Sequence, residues 1–118
     1  MHGGVFFDAD SGAVVVGHVE RTTNAWERLR GLLARPALAP DHGLWLTPCN
    51  SVHTAFMAYP IDVVFLDRSL VILRIAAALA PWRSALGLRA RSTLELPAGA
   101  SAACELAVGQ RLRWQAHD

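Results

Sequence analysis

The sequence contains no lysine and only two cysteines, Cys49 and Cys104, among its 118 residues. Two cysteines are too few for the disulfide framework of a small secreted domain, so at most one disulfide is expected. The 11 positive side chains, all arginine, nearly balance 10 acidic ones and leave a net charge of +1. Because nucleic-acid binding requires a clear basic excess, we predict no nucleic-acid partner.

A long hydrophobic run is also missing. The longest apolar tract, residues 70–82, is interrupted by Arg74 and Pro81, and it falls short of the roughly 18–20 residues that cross a bilayer. The first residues lack the basic start and the apolar stretch of about 7–15 residues that form a secretory signal. We therefore expect a cytoplasmic protein with no membrane partner.

The composition indicates a folded chain, because 53% of the residues are hydrophobic and 18% are charged. A disordered chain has far fewer apolar residues and a larger net charge. The length suits one autonomous domain of roughly 100–150 residues, and no internal repeat or low-complexity linker divides the chain. We expect residues 1–118 to form a single domain.

Short apolar runs separated by turn residues predict a mostly β structure. One helix is predicted near residues 24–35, where Asn24 suits the N-cap and Pro36 prevents continuation. Residues 100–106 are expected to form a short helical turn. Together these elements predict a small antiparallel β-barrel or sandwich of about seven or eight short strands. The predicted strands are residues 5–7, 13–19, 43–46, 51–57, 61–66, 70–77, 93–96 and 111–114.

Several blocks of the sequence resemble, in order, those of the domain of unknown function 192 family. They are Arg28-x-x-Gly31-Leu32-Leu33, Ser51-Val52-His53-Thr54 with Phe56-Met57, Pro60-Ile61-Asp62-Val63-Val64-Phe65-Leu66-Asp67, Leu94-Glu95-Leu96-Pro97-Ala98-Gly99 and Val108-Gly109. The resemblance implies a compact, mostly β, single-domain fold found in prokaryotic proteins. It implies no established activity and supplies no catalytic residues.

The residues around the second block raise the question of a metal. On a strand, Cys49, His53 and Met57 would share one face, and a thiolate, an imidazole and a thioether together suit copper. However, residues four apart on an extended strand are separated by roughly 13 Å at about 3.3 Å per residue, too far to share one ion. We therefore predict no metal and no cofactor.

Asp62 interrupts an apolar run that is expected to be buried. A buried carboxylate is costly unless it is paired or hydrogen-bonded. Asp62 is therefore either a structural carboxylate that closes a turn or the group that orients His53 as a general base near neutral pH. The candidate partners of Asp62 are Arg28, Arg30, His53, Thr54 and the backbone amides of the Tyr59-Pro60 turn.

Glu95 lies between Leu94 and Leu96, so alternation predicts an outward-facing carboxylate. The alternative places Glu95 at the rim of a pocket beside Arg83, whose guanidinium would bind an anionic group. We predict His53, Thr54, Asp62, Arg28, Arg83 and Glu95 as ligand-binding candidates.

The favoured function is a binding module with a polar and aromatic pocket for a small-molecule or peptide-like ligand. The first alternative is a small hydrolase or isomerase that uses His53 as general base, oriented by Asp62 and assisted by Thr54 or Ser51. A structural or protein-interaction accessory role is the second alternative. The first two hypotheses require His53 and Asp62 to converge in one enclosed place.

Overall fold

The computed structural model describes residues 2–22, 38–54 and 59–117. Nine strands and one short helix form the regular structure of this part, and the prediction of a mostly β fold is confirmed. The strands are β1 (His2–Asp8), β2 (Val14–Thr22), β3 (His42–Leu46), β4 (Ser51–His53), β5 (Ile61–Leu66), β6 (Ile72–Leu79), β7 (Ser84–Leu86), β8 (Ser92–Pro97) and β9 (Leu112–Ala116). Helix α1 (Ala100–Ala103) lies within the predicted helical turn. The helix predicted near residues 24–35 lies outside the described residues.

Seven of the strands form one sheet in the order β6-β5-β8-β3-β2-β1-β9, and β4 pairs with β7 in a second sheet. All described pairs are antiparallel except β2 and β3, which are parallel. A parallel pair needs a connection of about a dozen residues or more, and residues 23–41 supply one here. Strand β8 comes late in the sequence but lies between β5 and β3, so the sheet is not a simple meander.

The two edges of the large sheet meet at one place. The Ile72 amide donates to the Gln110 carbonyl oxygen over 2.8 Å, and the Leu112 amide donates to the Leu70 carbonyl oxygen over 2.9 Å. These bonds join the start of β6 to the start of β9. The sheet is therefore barrel-like, with its edges joined at this seam.

The curled sheet has an inner and an outer face, each with its own apolar cluster. The inner cluster contains Phe6, Trp45, Val64, Leu94 and Leu96, with residues of the α1 segment packed against it. The outer cluster contains Val52, Ile61, Val63, Phe65 and Ala85, and it lies between β5 and the β4–β7 sheet. Because both faces of β5 are covered, all six of its residues are buried, which explains its nearly continuous apolar sequence.

Candidate functional site

Asp62 on β5 is completely buried, and four hydrogen bonds satisfy its carboxylate. Oδ1 accepts from the backbone amides of Ala78 at 2.8 Å and Gly99 at 3.1 Å. Oδ2 accepts from the Ser101 amide at 2.9 Å and from the Ser101 hydroxyl at 2.5 Å. Burial raises the pKa of Asp62, but the bonds from Ser101, Ala78 and Gly99 outweigh it and hold the pKa below its usual value. The ionised carboxylate thus joins β5, β6 and the start of α1.

None of these donors belongs to the partners predicted from sequence. The amides of Ala78, Gly99 and Ser101 are 16 to 39 residues away from Asp62 in the chain. Backbone amides so far away in the chain cannot be recognised from the residues around Asp62. The sequence therefore indicated that Asp62 needs hydrogen-bond donors, but it did not indicate which ones. Asp62 in this structure joins distant segments of the fold, and the four bonds to its carboxylate do not close the Tyr59-Pro60 turn.

His53 does not meet Asp62. His53 is an exposed residue at the end of β4, whereas its neighbour Val52 packs into the outer cluster. Asp62 alternates with Ile61 and Val63 of the outer cluster and therefore lies on the inner face, like Val64. The sheet separates the two side chains, so the expectation that His53 and Asp62 converge is wrong, and Asp62 does not orient His53.

Thr54 and Arg83 do come together, but through the Arg83 backbone. The Thr54 hydroxyl donates to the Ala80 carbonyl oxygen over 2.6 Å and accepts from the Arg83 amide over 2.8 Å. Thr54 is fully buried, and these bonds hold the loop before β7 against the end of β4. The Arg83 residue itself is exposed. Arg28 lies outside the described residues.

Glu95 is the candidate residue whose environment differs most from its prediction. Alternation places it on the face opposite Leu94 and Leu96, as predicted, but that outer face is covered and Glu95 is only 3% exposed. Its cross-strand neighbours are Leu44 on β3 and Val63 on β5. Among the described residues, Oε2 of Glu95 has no hydrogen-bond partner. The expectation of a solvated outward carboxylate is therefore wrong, because a second layer covers the face.

Burial raises the pKa of Glu95 to about 8. The pKa of the nearby Tyr59 phenol is also raised. Burial of the phenol is the larger cause, and the negative charge of ionised Glu95 is the smaller one. At neutral pH Glu95 is therefore mostly a neutral carboxylic acid, which has one O–H donor and acceptor lone pairs. Such a group can bind a polar partner or transfer a proton near neutral pH.

A second polar feature is a pair of histidines at the start of the β2–β3 ladder. His18 and His42 are direct partners in the parallel pair, and their rings stack with centroids 4.8 Å apart. With His117 and Glu20 they border a cavity of about 250 Å³. The sequence could not reveal this pair, because it depends on the parallel register of two strands.

The described residues contain no group of three or more His, Cys, Asp and Glu side chains arranged to hold a metal ion. Cys49 and Cys104 are both free thiols. No helix in the part of the chain that the structure describes is both long and apolar enough to cross a membrane.

Two solved structures resemble this fold. A protein from Sinorhizobium meliloti 1021, described as a "putative transcription regulator", has a TM-score of 0.83 at 23% identity, with 97% of this chain and 94% of that chain covered. A protein of unknown function from Novosphingobium aromaticivorans DSM 12444 has a TM-score of 0.72 at 19% identity, with 95% and 84% covered. At these identities the similarity shows a shared fold.

A comparison with curated proteins finds no similar sequence. The profile of the DUF192 family, described as "Uncharacterized ACR", matches residues 7–114. That match covers nearly the whole chain and runs from the end of β1 into β9. The chain therefore belongs to the DUF192 family.

Proposed function

We propose that this protein is a ligand-binding module whose central polar group is Glu95. One observation carries the proposal: an almost fully buried carboxyl group has an oxygen with no hydrogen-bond partner among the described residues. Buried polar groups are hydrogen-bonded in the large majority of cases, because an unpaired group loses its interaction with water without compensation. A ligand that pairs with Glu95 would recover that loss.

The chemistry of Glu95 favours a neutral ligand over a cationic one. With a pKa of about 8, the group is protonated at neutral pH and offers a donor beside an acceptor. An amide has the complementary pair, an acceptor oxygen beside an N–H donor. We therefore propose a small-molecule or peptide-like ligand with an amide group. The cross-strand neighbours of Glu95, Leu44 and Val63, are both apolar.

A thermal-shift screen of small amides and short peptides tests this proposal, because a ligand that binds only the folded state raises the midpoint of unfolding. The wild type should be stabilised by at least one compound class. Glu95→Ala, which removes the carboxyl group, should lose that response, while His53→Ala should keep it, because His53 is exposed and on another sheet. Stabilisation that persists unchanged in Glu95→Ala would refute the site.

The raised pKa of Glu95 also supports a second candidate function. A carboxyl group that titrates near pH 8 can act as a general acid or base, which suits a small hydrolase or isomerase. In this enzyme hypothesis the proton-transferring group is Glu95, not His53 as the sequence analysis predicted. Turnover of a compound found in the screen, abolished in Glu95→Gln with binding retained, would favour the enzyme; binding without turnover favours the binding module.

A further inference from the structure

The seam between the two sheet edges contains a groove that neither the resemblance nor the Glu95 proposal involves. The groove has a volume of about 350 Å³ and lies between the turn after β5 and the start of β9. Leu70 is half-buried and contributes apolar surface, whereas Leu112, which is hydrogen-bonded to Leu70 through the backbone, is buried in the inner cluster. We call this cavity the seam groove. Its lining includes Arg68, Leu70, Arg111, Leu112, Arg113 and Trp114.

The lining of the seam groove carries three arginines and no carboxylate. This is a local excess of positive charge in a chain whose net charge is only +1. All three arginine residues are exposed, and none forms an ion pair within the described part of the chain. The guanidinium groups of Arg68 and Arg111 are therefore available to an external anion, whereas Nη1 of Arg113 donates to Oε1 of Gln115 at 3.4 Å and leaves only its other N–H donors for such an anion.

The acidic residues beside the groove are already engaged by other donors. Oδ1 of Asp67 accepts from the amides of Ser69 at 2.8 Å and Val71 at 2.9 Å, which shapes the turn after β5. Asp8 accepts from the Ser11 amide at 2.8 Å and from Nε2 of Gln110 at 3.1 Å. These bonds hold both carboxylates to their own turns, and neither forms an ion pair with an arginine of the groove within the described residues.

Part of the groove is also held in place before any ligand arrives. The Arg113 guanidinium lies 4.5 Å from the centroid of the Phe7 ring, which restricts its position. Trp114 packs against Phe6 and Trp45, with ring centroids 5.1 Å and 4.9 Å away. A wall fixed by core packing loses little conformational entropy when a ligand binds.

We propose that the seam groove binds the phosphate group of a small phosphorylated molecule. A guanidinium presents planar, paired N–H donors that match the oxygens of a phosphate. Several such groups around one cavity favour a multiply charged oxyanion. The volume is in the range of small-ligand pockets, and the half-buried Leu70 and Trp114 would contact the uncharged part of the molecule. This site is separate from Glu95 and does not depend on the proposed function.

Titration with inorganic phosphate and pyrophosphate, followed by calorimetry and by tryptophan fluorescence, tests the proposal. We expect saturable 1:1 binding that is tighter for pyrophosphate and that chloride does not reproduce. Arg111→Gln should weaken binding by about tenfold or more, as expected when one charge-assisted pair is lost. Arg89→Gln is the matched control, because Arg89 is exposed but does not line the groove; it should stay within about twofold of the wild type.

Non-saturable binding, or an equal loss in Arg111→Gln and Arg89→Gln, would overturn the proposal, because both indicate attraction to surface charge in general. A DNA duplex serves as a second probe. Duplex binding that is tighter than pyrophosphate binding and falls steeply with salt would assign the groove to a nucleic-acid backbone and overturn the small-ligand site. Glu95→Gln should leave pyrophosphate binding unchanged, which separates this test from that of the proposed function.

Discussion

Asp62 and Glu95 lie on neighbouring strands, in adjacent rungs of one ladder, and project to opposite faces of the same sheet. Asp62 is paired with Leu96, and Glu95 is paired with Val63. Four hydrogen bonds stabilise the charged form of Asp62, whereas Glu95 has an unpartnered oxygen among the described residues. The two buried carboxyl groups therefore respond to pH in opposite directions.

Glu95 should make the folded protein less stable as pH rises. Its pKa is about 8 in the folded state and 4.5 ordinarily, so the folded state binds the extra proton between these values. The contribution of Glu95 is fully present below about pH 4.5 and is lost as pH rises through about 8. Glu95→Gln should remove this decline and be more stable than the wild type at pH 8, by on the order of a few kcal/mol.

Urea unfolding at a series of pH values measures this effect, with Glu105→Gln as the control because Glu105 is exposed. If the wild type and Glu95→Gln show the same pH dependence, Glu95 is ionised in the folded protein and the proposed neutral carboxyl group is wrong.

Asp62→Asn should be strongly destabilising. An amide nitrogen in place of one carboxylate oxygen would face an N–H or O–H donor of the protein, leaving buried donors unpaired at a cost of about 1–3 kcal/mol each. We expect a total loss of at least about 3 kcal/mol. Asp67→Asn is the matched control, because Asp67 accepts both of its bonds through Oδ1 alone, which an asparagine retains. Equal losses in the two variants, measured by chemical denaturation, would contradict this role of Asp62.

Asp62 also makes stability sensitive to acid. Its pKa is lowered in the folded state from an ordinary value of 3.8, so its contribution is present above this value and is lost as pH falls through the lower folded value. This is opposite in sign to the effect of Glu95.

Gly87→Ala should destabilise the packing between the two sheets. A Cβ atom at Gly87 would lie 2.3 Å from Cδ1 of Phe65, a fully buried ring. Phe65 cannot move without disturbing the outer cluster, so we expect a loss of roughly 1–3 kcal/mol. Gly3→Ala is the control, since its Cβ would meet nothing closer than 3.6 Å. Thermal unfolding of both variants tests the contact; a neutral Gly87→Ala would mean that the sheets are less closely packed than the structure shows.

Thr54→Val should weaken the junction between β4 and the loop before β7. The substitution keeps the volume but removes the hydroxyl that bonds to Ala80 and Arg83. Because the site is buried, we expect a loss of about 1–3 kcal/mol. Thr54→Ser retains the hydroxyl and should restore most of the difference. Amide hydrogen exchange at Arg83 should accelerate in the valine variant only, because the Arg83 amide donates to the Thr54 hydroxyl, whereas the Trp82 amide donates to the Thr54 carbonyl oxygen, which valine keeps.

Several features of the fold were predictable from sequence because they depend on local physics. Alternation and turn residues indicated most of the strands, and the continuous apolar run of β5 indicated burial on both faces. The need of Asp62 for hydrogen-bond donors also followed from one polar residue in that run. The short strand β7 was not predicted, because three residues are too few to show a period.

The functional predictions depended on which residues meet, and here the sequence was insufficient. His53 and Asp62 are nine positions apart in the chain, yet a sheet separates them, whereas Ser101 is 39 positions away and donates two hydrogen bonds to Asp62. A polar residue within an apolar run shows, from the sequence alone, that burial would require a hydrogen-bond partner. Which residue becomes that partner depends on the segment that the tertiary structure places beside it.

The sequence by itself determined the strand content, the burial of β5 and the two-faced alternation of β8, because each follows from the geometry of an extended chain. Only the tertiary structure decided that β8 is inserted between β3 and β5, that a second layer covers Glu95, and that three arginines surround the seam groove. Strand order and layer packing arise from contacts between distant segments, which no local periodicity encodes.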